Sequence, residues 1–250
     1  MHRDDLVRWL DGYLRIGEFK DPSLNGLQVE GREQVRKVGV SVDAAWAIFD
    51  KAALAQVDFL ITHHGLFWGQ PFPIVGYQKR RLEKLLTAGI SLYTAHLPLD
   101  AHPEVGNNAV IARELGLGAL EPFPHPKYGP IGVVGQLGEP KTLAELEDQI
   151  GQMTGMQPLV YAAGPQVVRR VGVVSGGGAG DVAQAKALGC DLYITGEPSH
   201  AHYHEPFELG INVIYAGHYD SETFGVKALA ARLEEEFGLP WVFLEHPTGL

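Results

Sequence analysis

VRKVGVSV at Val35–Val42 and VRRVGVVS at Val168–Ser175 are near copies of one stretch, and their reading decides the fold class. Carried on without a gap, DFLIT at Asp58–Thr62 falls on DLYIT at Asp191–Thr195, so strand, helical interval and strand recur in register. One gap later, YTAHLPLD (Tyr93–Asp100) overlies YAGHYDSE (Tyr215–Glu222), which sets His96 against His218 and Asp100 against Glu222. Further short apolar, β-branched runs stand at Ile90–Thr94, Ile131–Leu137 and Val213–Tyr215. Asp4–Arg15 spaces Leu6, Val7, Leu10 and Leu14 as an amphipathic helix does. This alternation predicts an α/β protein with much parallel pairing, built from two similar halves. The Pro- and Gly-rich Glu121–Pro130 is the expected boundary, giving halves at 1–125 and 126–250, with the C-terminal segment free to pack on the first.

Composition narrows the function. Among 250 residues, 30 acidic against 20 basic side chains give a formal charge of −10, which disfavours generic nucleic-acid binding because that depends on Lys and Arg neutralising phosphates. Cys190 is the single cysteine, which excludes an intramolecular disulfide and any zinc site made of several thiolates, and it reads as a buried structural residue. The start, MHRDDLVRWL, carries charge where a signal peptide is apolar, and no 18-residue apolar run exists. A soluble cytoplasmic protein without a membrane partner is the expectation.

The chemistry concentrates at strand ends. His63–His64 close the apolar run VDFLITHH, where an open α/β sheet presents side chains to a ligand crevice. Neighbours on a strand point to opposite sides, so the pair suits two different metal ions better than one. Asp100 adds a hard oxygen, and His218 with Glu222, spaced i, i+4, adds an imidazole and a carboxylate able to bridge two cations. His96 stands in the same relation to Asp100, beside Pro98, and reads as a supporting or occasional ligand. The bland reading fits these patterns equally: a repeated β-α-β core whose polar residues cap helices, and a solvated histidine pair in a turn. Ser175-Gly-Gly-Gly-Ala-Gly180 follows a strand, but lacks the phosphate-loop spacing and reads as a tight turn. His200, His202 and His204 alternate in SHAHYHEP, which an exposed polar loop explains equally well, with His204 the one expected to matter; Asp43, ending the first strand, is a possible supporting acid, although a turn residue is the better reading.

Together these residues resemble a known family, the dinuclear-metal proteins labelled GTP cyclohydrolase I type 2 homologues (NGG-interacting-factor-like). The marks are DPSLNGLQV (Asp21–Val29), ITHHGLFW (Ile61–Trp68), HLPLDAHPEVGNN (His96–Asn108), TGE (Thr195–Glu197) and GHYDSE (Gly217–Glu222), spanning nearly the whole chain. Gly65 stands where the family often has proline. The resemblance implies metal ligands at His63, His64, Asp100, His218 and Glu222, two interlocked α/β halves with the metals in the cleft between them, and a homohexameric toroid. The type I cyclohydrolase itself builds its zinc site with two cysteines, which this chain lacks.

The expected function is a metal-dependent hydrolase with two divalent ions per subunit, iron, manganese, zinc or cobalt, acting on a small phosphorylated or nucleotide-like substrate. Its expected catalytic residues are His96 and His204, relaying protons. The competing reading from another class is a metal carrier or metallochaperone, or a protein-interaction scaffold.

Overall fold

The computed structural model describes residues 1–250. The strands of the first part of the chain are β1 (Gly26–Val29), β2 (Val38–Asp43), β3 (Phe59–His64) and β4 (Ser91–Thr94). Those of the middle are β5 (Leu117–His125), β6 (Gly129–Thr142), β7 (Leu159–Tyr161), β8 (Val167–Val173), β9 (Leu192–Thr195) and β10 (Asn212–Tyr215); β11 (Trp241–Phe243) follows near the C-terminus. The chain divides into two compact units. One is Met1–Leu99 with Val226–His246, the other Asp100–Gly225 with Pro247–Leu250. This division differs from a cut at residue 125: Glu121–Pro130 lies inside the second unit, where β5 and β6 pair as an antiparallel hairpin.

In the first unit the sheet order is β1-β4-β3-β2-β11. β2, β3 and β4 run parallel, β11 joins β2 in parallel, and β1 closes the other edge antiparallel to β4. Parallel neighbours need crossovers, supplied by the helices Trp46–Leu54 and Gly76–Ala88. β2 and β3 are almost wholly buried because such a sheet is covered on both faces, which is why their sequences are continuous apolar runs. Ile48, Phe49, Val57, Leu60, Leu85 and Leu92 form the core on one side. The first helix spans Arg3–Leu14 and buries Leu6, Leu10 and Leu14, the stripe its periodicity announces.

The second unit has the order β5-β6-β8-β9-β10-β7. Here β8, β9 and β10 are the parallel set, and β7 closes an edge antiparallel to β10. The run β7-β10-β9-β8 thus repeats the order and senses of β1-β4-β3-β2, which puts Val38–Val42 and Val171–Val173 at equivalent places in their sheets. The copies part at the outer side, where β8 meets the antiparallel β6 but β2 meets the parallel β11. Cys190 is buried, and burial pushes its thiol up to about 12, as befits an inert structural cysteine. No helix is long and apolar enough to cross a membrane.

Candidate metal centre

In each unit the chemistry gathers at the carboxyl ends of the parallel strands, where side chains leave the hydrogen-bonded ladder. In the first unit β3 ends in His63 and His64, β2 ends in Asp43, and His96 follows β4. The register sets Asp43 beside His64, and Asp43 Oδ1 accepts from His64 Nδ1 at 2.9 Å. His63, fully buried, donates from Nδ1 to the Ala95 carbonyl at 3.0 Å. His96 donates from Nδ1 to Asp21 Oδ1 at 2.8 Å.

These bonds decide the tautomers. With Nδ1–H donated to an oxygen, the neutral ring carries its lone pair on Nε2, the arrangement by which a partner behind a histidine orients it toward a metal. The ring centroids of His63 and His64 are 4.8 Å apart, and His96 stands 5.0 and 5.6 Å from them. One ligand nitrogen from each lies within 4.8 Å of the others, a group that could hold a metal ion. Strand alternation had implied that His63 and His64 diverge, yet their rings converge. The β3–β4 ladder stops at Thr62↔Thr94, so His63 and His64 are paired on one side only, through Asp43↔His64.

In the second unit Asp100 is 7% exposed, and its Oδ1 accepts from Asn107 Nδ2 at 2.9 Å and Ser175 Oγ at 3.0 Å. Asn108 ties the Asp100 carbonyl and the Ser175 N–H to the same corner. Glu222 is 3% exposed, with Oε1 3.3 Å from His218 Nε2. Glu197, just past the end of β9, faces His218 Nδ1 at 3.2 Å. The glycine run after β8 is shaped around this pair. Gly176 has φ +66°, and a Cβ there would collide with Glu222 Oε1. Its N–H donates to Ser221 Oγ and that of Gly178 to Thr195 Oγ1, so the loop packs against a carboxylate rather than cradling a phosphate.

Asp100, His218 and Glu222 therefore belong to one unit, and His63, His64 and His96 to the other. His204 is exposed, with its ring edge-on to Tyr203, and His202 pairs with Glu205 at 2.9 Å. Asp21 and Glu197 are the acids whose roles the sequence left unread. Both lay in quoted motifs, DPSLNGLQV and TGE, and the gapless overlay that aligns Thr62 with Thr195 also sets Glu197 on His64.

Burial by itself lowers the His218 pKa, but Glu222 and then Glu197 outweigh it and raise the imidazole from 6.5 to about 9. In metal-free protein a proton at His218 thus links two carboxylates. A raised folded pKa contributes stability fully below pH 6.5 and loses it as pH climbs through about 9. The thermal-unfolding advantage of chelator-treated wild type over His218→Gln is expected to shrink across that window. An advantage that grows with pH would contradict the assignment.

Comparison with known proteins agrees with this architecture over its whole length. A Deinococcus radiodurans protein named GTP cyclohydrolase 1 type 2 homolog is 52% identical over 248 residues, 99% of this chain and 94% of the relative. A Pyrococcus horikoshii protein of the same name is 45% identical, with both chains covered completely. A crystal structure of a Thermus thermophilus protein superposes with a TM-score of 0.95 at 60% identity, again covering 100% of both chains. The model of one family matches residues 1–248, and the chain belongs to that family, Duf34/NIF3 (NGG1p interacting factor 3).

Proposed function

We propose that this protein is a hydrolase that holds two divalent metal ions through His63, His64, Asp100, His218 and Glu222 and acts on a small phosphorylated or nucleotide-like molecule. The observation that carries the reading is the common treatment of its imidazoles. His63, His64 and His218 each have Nδ1 engaged by a carbonyl or a carboxylate, which directs Nε2 forward as a ligand nitrogen, and His96 is held in the same way by Asp21. His102 and His125, which close turns, have the opposite polarity, with Nδ1 accepting from backbone N–H groups, while His202 outside the cluster pairs its Nδ1 with Glu205.

The donor set fits the ions. Imidazole and carboxylate without thiolate suit iron, manganese, zinc or cobalt. Divalent cations held there supply Lewis-acid catalysis of hydrolysis and attract an anionic substrate to a protein of charge −10. Asn107 and Ser175 orient Asp100, Asp43 orients His64, and Glu197 orients His218. His96, held from behind by Asp21, is the group placed to take or give a proton at Nε2. The names of the relatives favour a nucleotide among possible substrates.

Turnover of a panel of nucleotides and phosphoesters, compared between metal-loaded and chelator-stripped protein, tests the reading. Metal-dependent hydrolysis of at least one member is expected. Fully loaded protein that turns over none of them would contradict the hydrolase and favour metal carriage.

A further inference from the structure

Trp68 is an exposed tryptophan whose place the metal chemistry leaves unexplained. Its indole Nε1–H donates to the carbonyl of Gly65 at 3.0 Å, which ties the ring to the turn just after the His63–His64 pair. The ring centroid lies 5.1 Å from that of His96, nearly perpendicular at 75°, and 5.8 Å from that of His64 at 44°. The segment is held from behind: Leu24 N–H donates to the Phe67 carbonyl at 3.0 Å, and Phe67 stacks on Phe72 at 5.3 Å and 9°. Leu66 N–H donates to Gln28 Oε1 at 2.8 Å, which fixes the turn itself.

Trp68 nevertheless remains 38% exposed. Its only polar atom is bonded within the protein, so the surface it offers is that of an indole ring with a fixed plane. A large aromatic held rigidly in water beside two imidazoles forgoes much of its burial. That surface is rewarded when a flat ring covers it, and every nucleobase has a face that can do so.

We propose that Trp68 is a stacking platform for a planar heteroaromatic ring, a nucleobase in chemical class, set at the edge of the histidine cluster so that the attached phosphate reaches the metal ligands. This rests on the reading of His63, His64 and their partners as a metal centre, and it narrows the substrate to one carrying an aromatic base.

Isothermal titration of metal-loaded protein with GMP, and with ribose 5-phosphate as a probe lacking the base, tests it on wild type, Trp68→Phe and Trp68→Leu. Metal content and thermal unfolding are measured on the same samples. Trp68→Leu is expected to weaken GMP about 10- to 100-fold while leaving ribose 5-phosphate within a few-fold of wild type. Trp68→Phe, which keeps a ring but loses the bond to Gly65, is expected to retain most GMP affinity. Equal losses for both probes would make Trp68 a scaffold for the turn and overturn the proposal, as would unchanged GMP binding in Trp68→Leu. Wild type that holds its metal yet does not bind GMP would also overturn it, leaving the metal centre standing. Failure of wild type to load metal would instead refute the reading beneath it.

Discussion

Glu222→Gln is expected to strip one or both metal ions from the protein while the fold survives. The carboxylate is 3% exposed and 3.3 Å from His218 Nε2, and the glycine at 176 has no Cβ because Glu222 Oε1 occupies that space. His63 and His64 can each give one nitrogen to one ion, whereas a carboxylate has two oxygens and a charge that offsets repulsion between two cations. Gln keeps the shape and removes that charge. Metal affinity should fall more than about 100-fold, beyond what loss of a supporting partner behind a ligand costs. The fold should stand because the second unit has its own core, including Ile111, Leu146, Val171, Ile194 and Ile214. Unfolding of the metal-free variant is expected within a few degrees of metal-free wild type, since about 1 kcal/mol moves a chain of this size by about 2–4 °C. Retention of two ions per chain would refute the bridging role, and failure to fold would show that the site is structural.

Asp21→Asn should separate the proton relay from the ligands. Asp21 Oδ1 accepts from His96 Nδ1 and Ser23 N–H, both at 2.8 Å, and Oδ2 accepts from Asn25 Nδ2 and Leu97 N–H, both at 2.9 Å. Burial alone would raise its pKa, but the His96 imidazole together with the bonds from Asn25 and Ser23 outweighs that and holds the carboxyl below the usual range. Asparagine turns one of two fully used acceptors into a donor pointed at donors. Each buried donor left unsatisfied costs about 1–3 kcal/mol, so the unfolding midpoint is expected to drop by about 5–10 °C. With His96 no longer oriented, turnover of a panel substrate should fall by about 10²–10⁴-fold while both ions stay bound. Metal loss in step with turnover would instead make His96 a ligand.

The legible part of this protein is the part buried on both faces. β2, β3, β9 and β10 read directly because a covered parallel strand must be a short continuous apolar run. Two copies of that pattern also made the ends of the strands comparable, which is how His218 and Glu222 were reached from His96 and Asp100. Four strands escaped for local reasons. β1 is four residues, two of them only partly buried, and β7 is three residues. β5 carries Pro122 and Pro124, which only an edge strand tolerates, and it is the edge of its sheet. β11 is three residues that pair in parallel with β2, far back along the chain, a partnership no local pattern announces. Within the candidate site, ligand types at strand ends were visible and Asp43 stood as a possible supporting acid, but Asp21 and Glu197 went unread. Asp21 meets His96 across 75 residues, and its own surroundings read only as a turn.

Metal content at saturation tests the central claim most directly. Chelator-stripped wild type would be reloaded separately with iron(II), manganese, zinc and cobalt, freed of excess ion, and measured by elemental analysis against protein concentration. Two ions per chain are expected with at least one of these metals, falling below two when any one of His63, His64, Asp100, His218 or Glu222 is replaced by alanine. Wild type that binds fewer than two with every metal, or alanine variants that still bind two, would contradict the account.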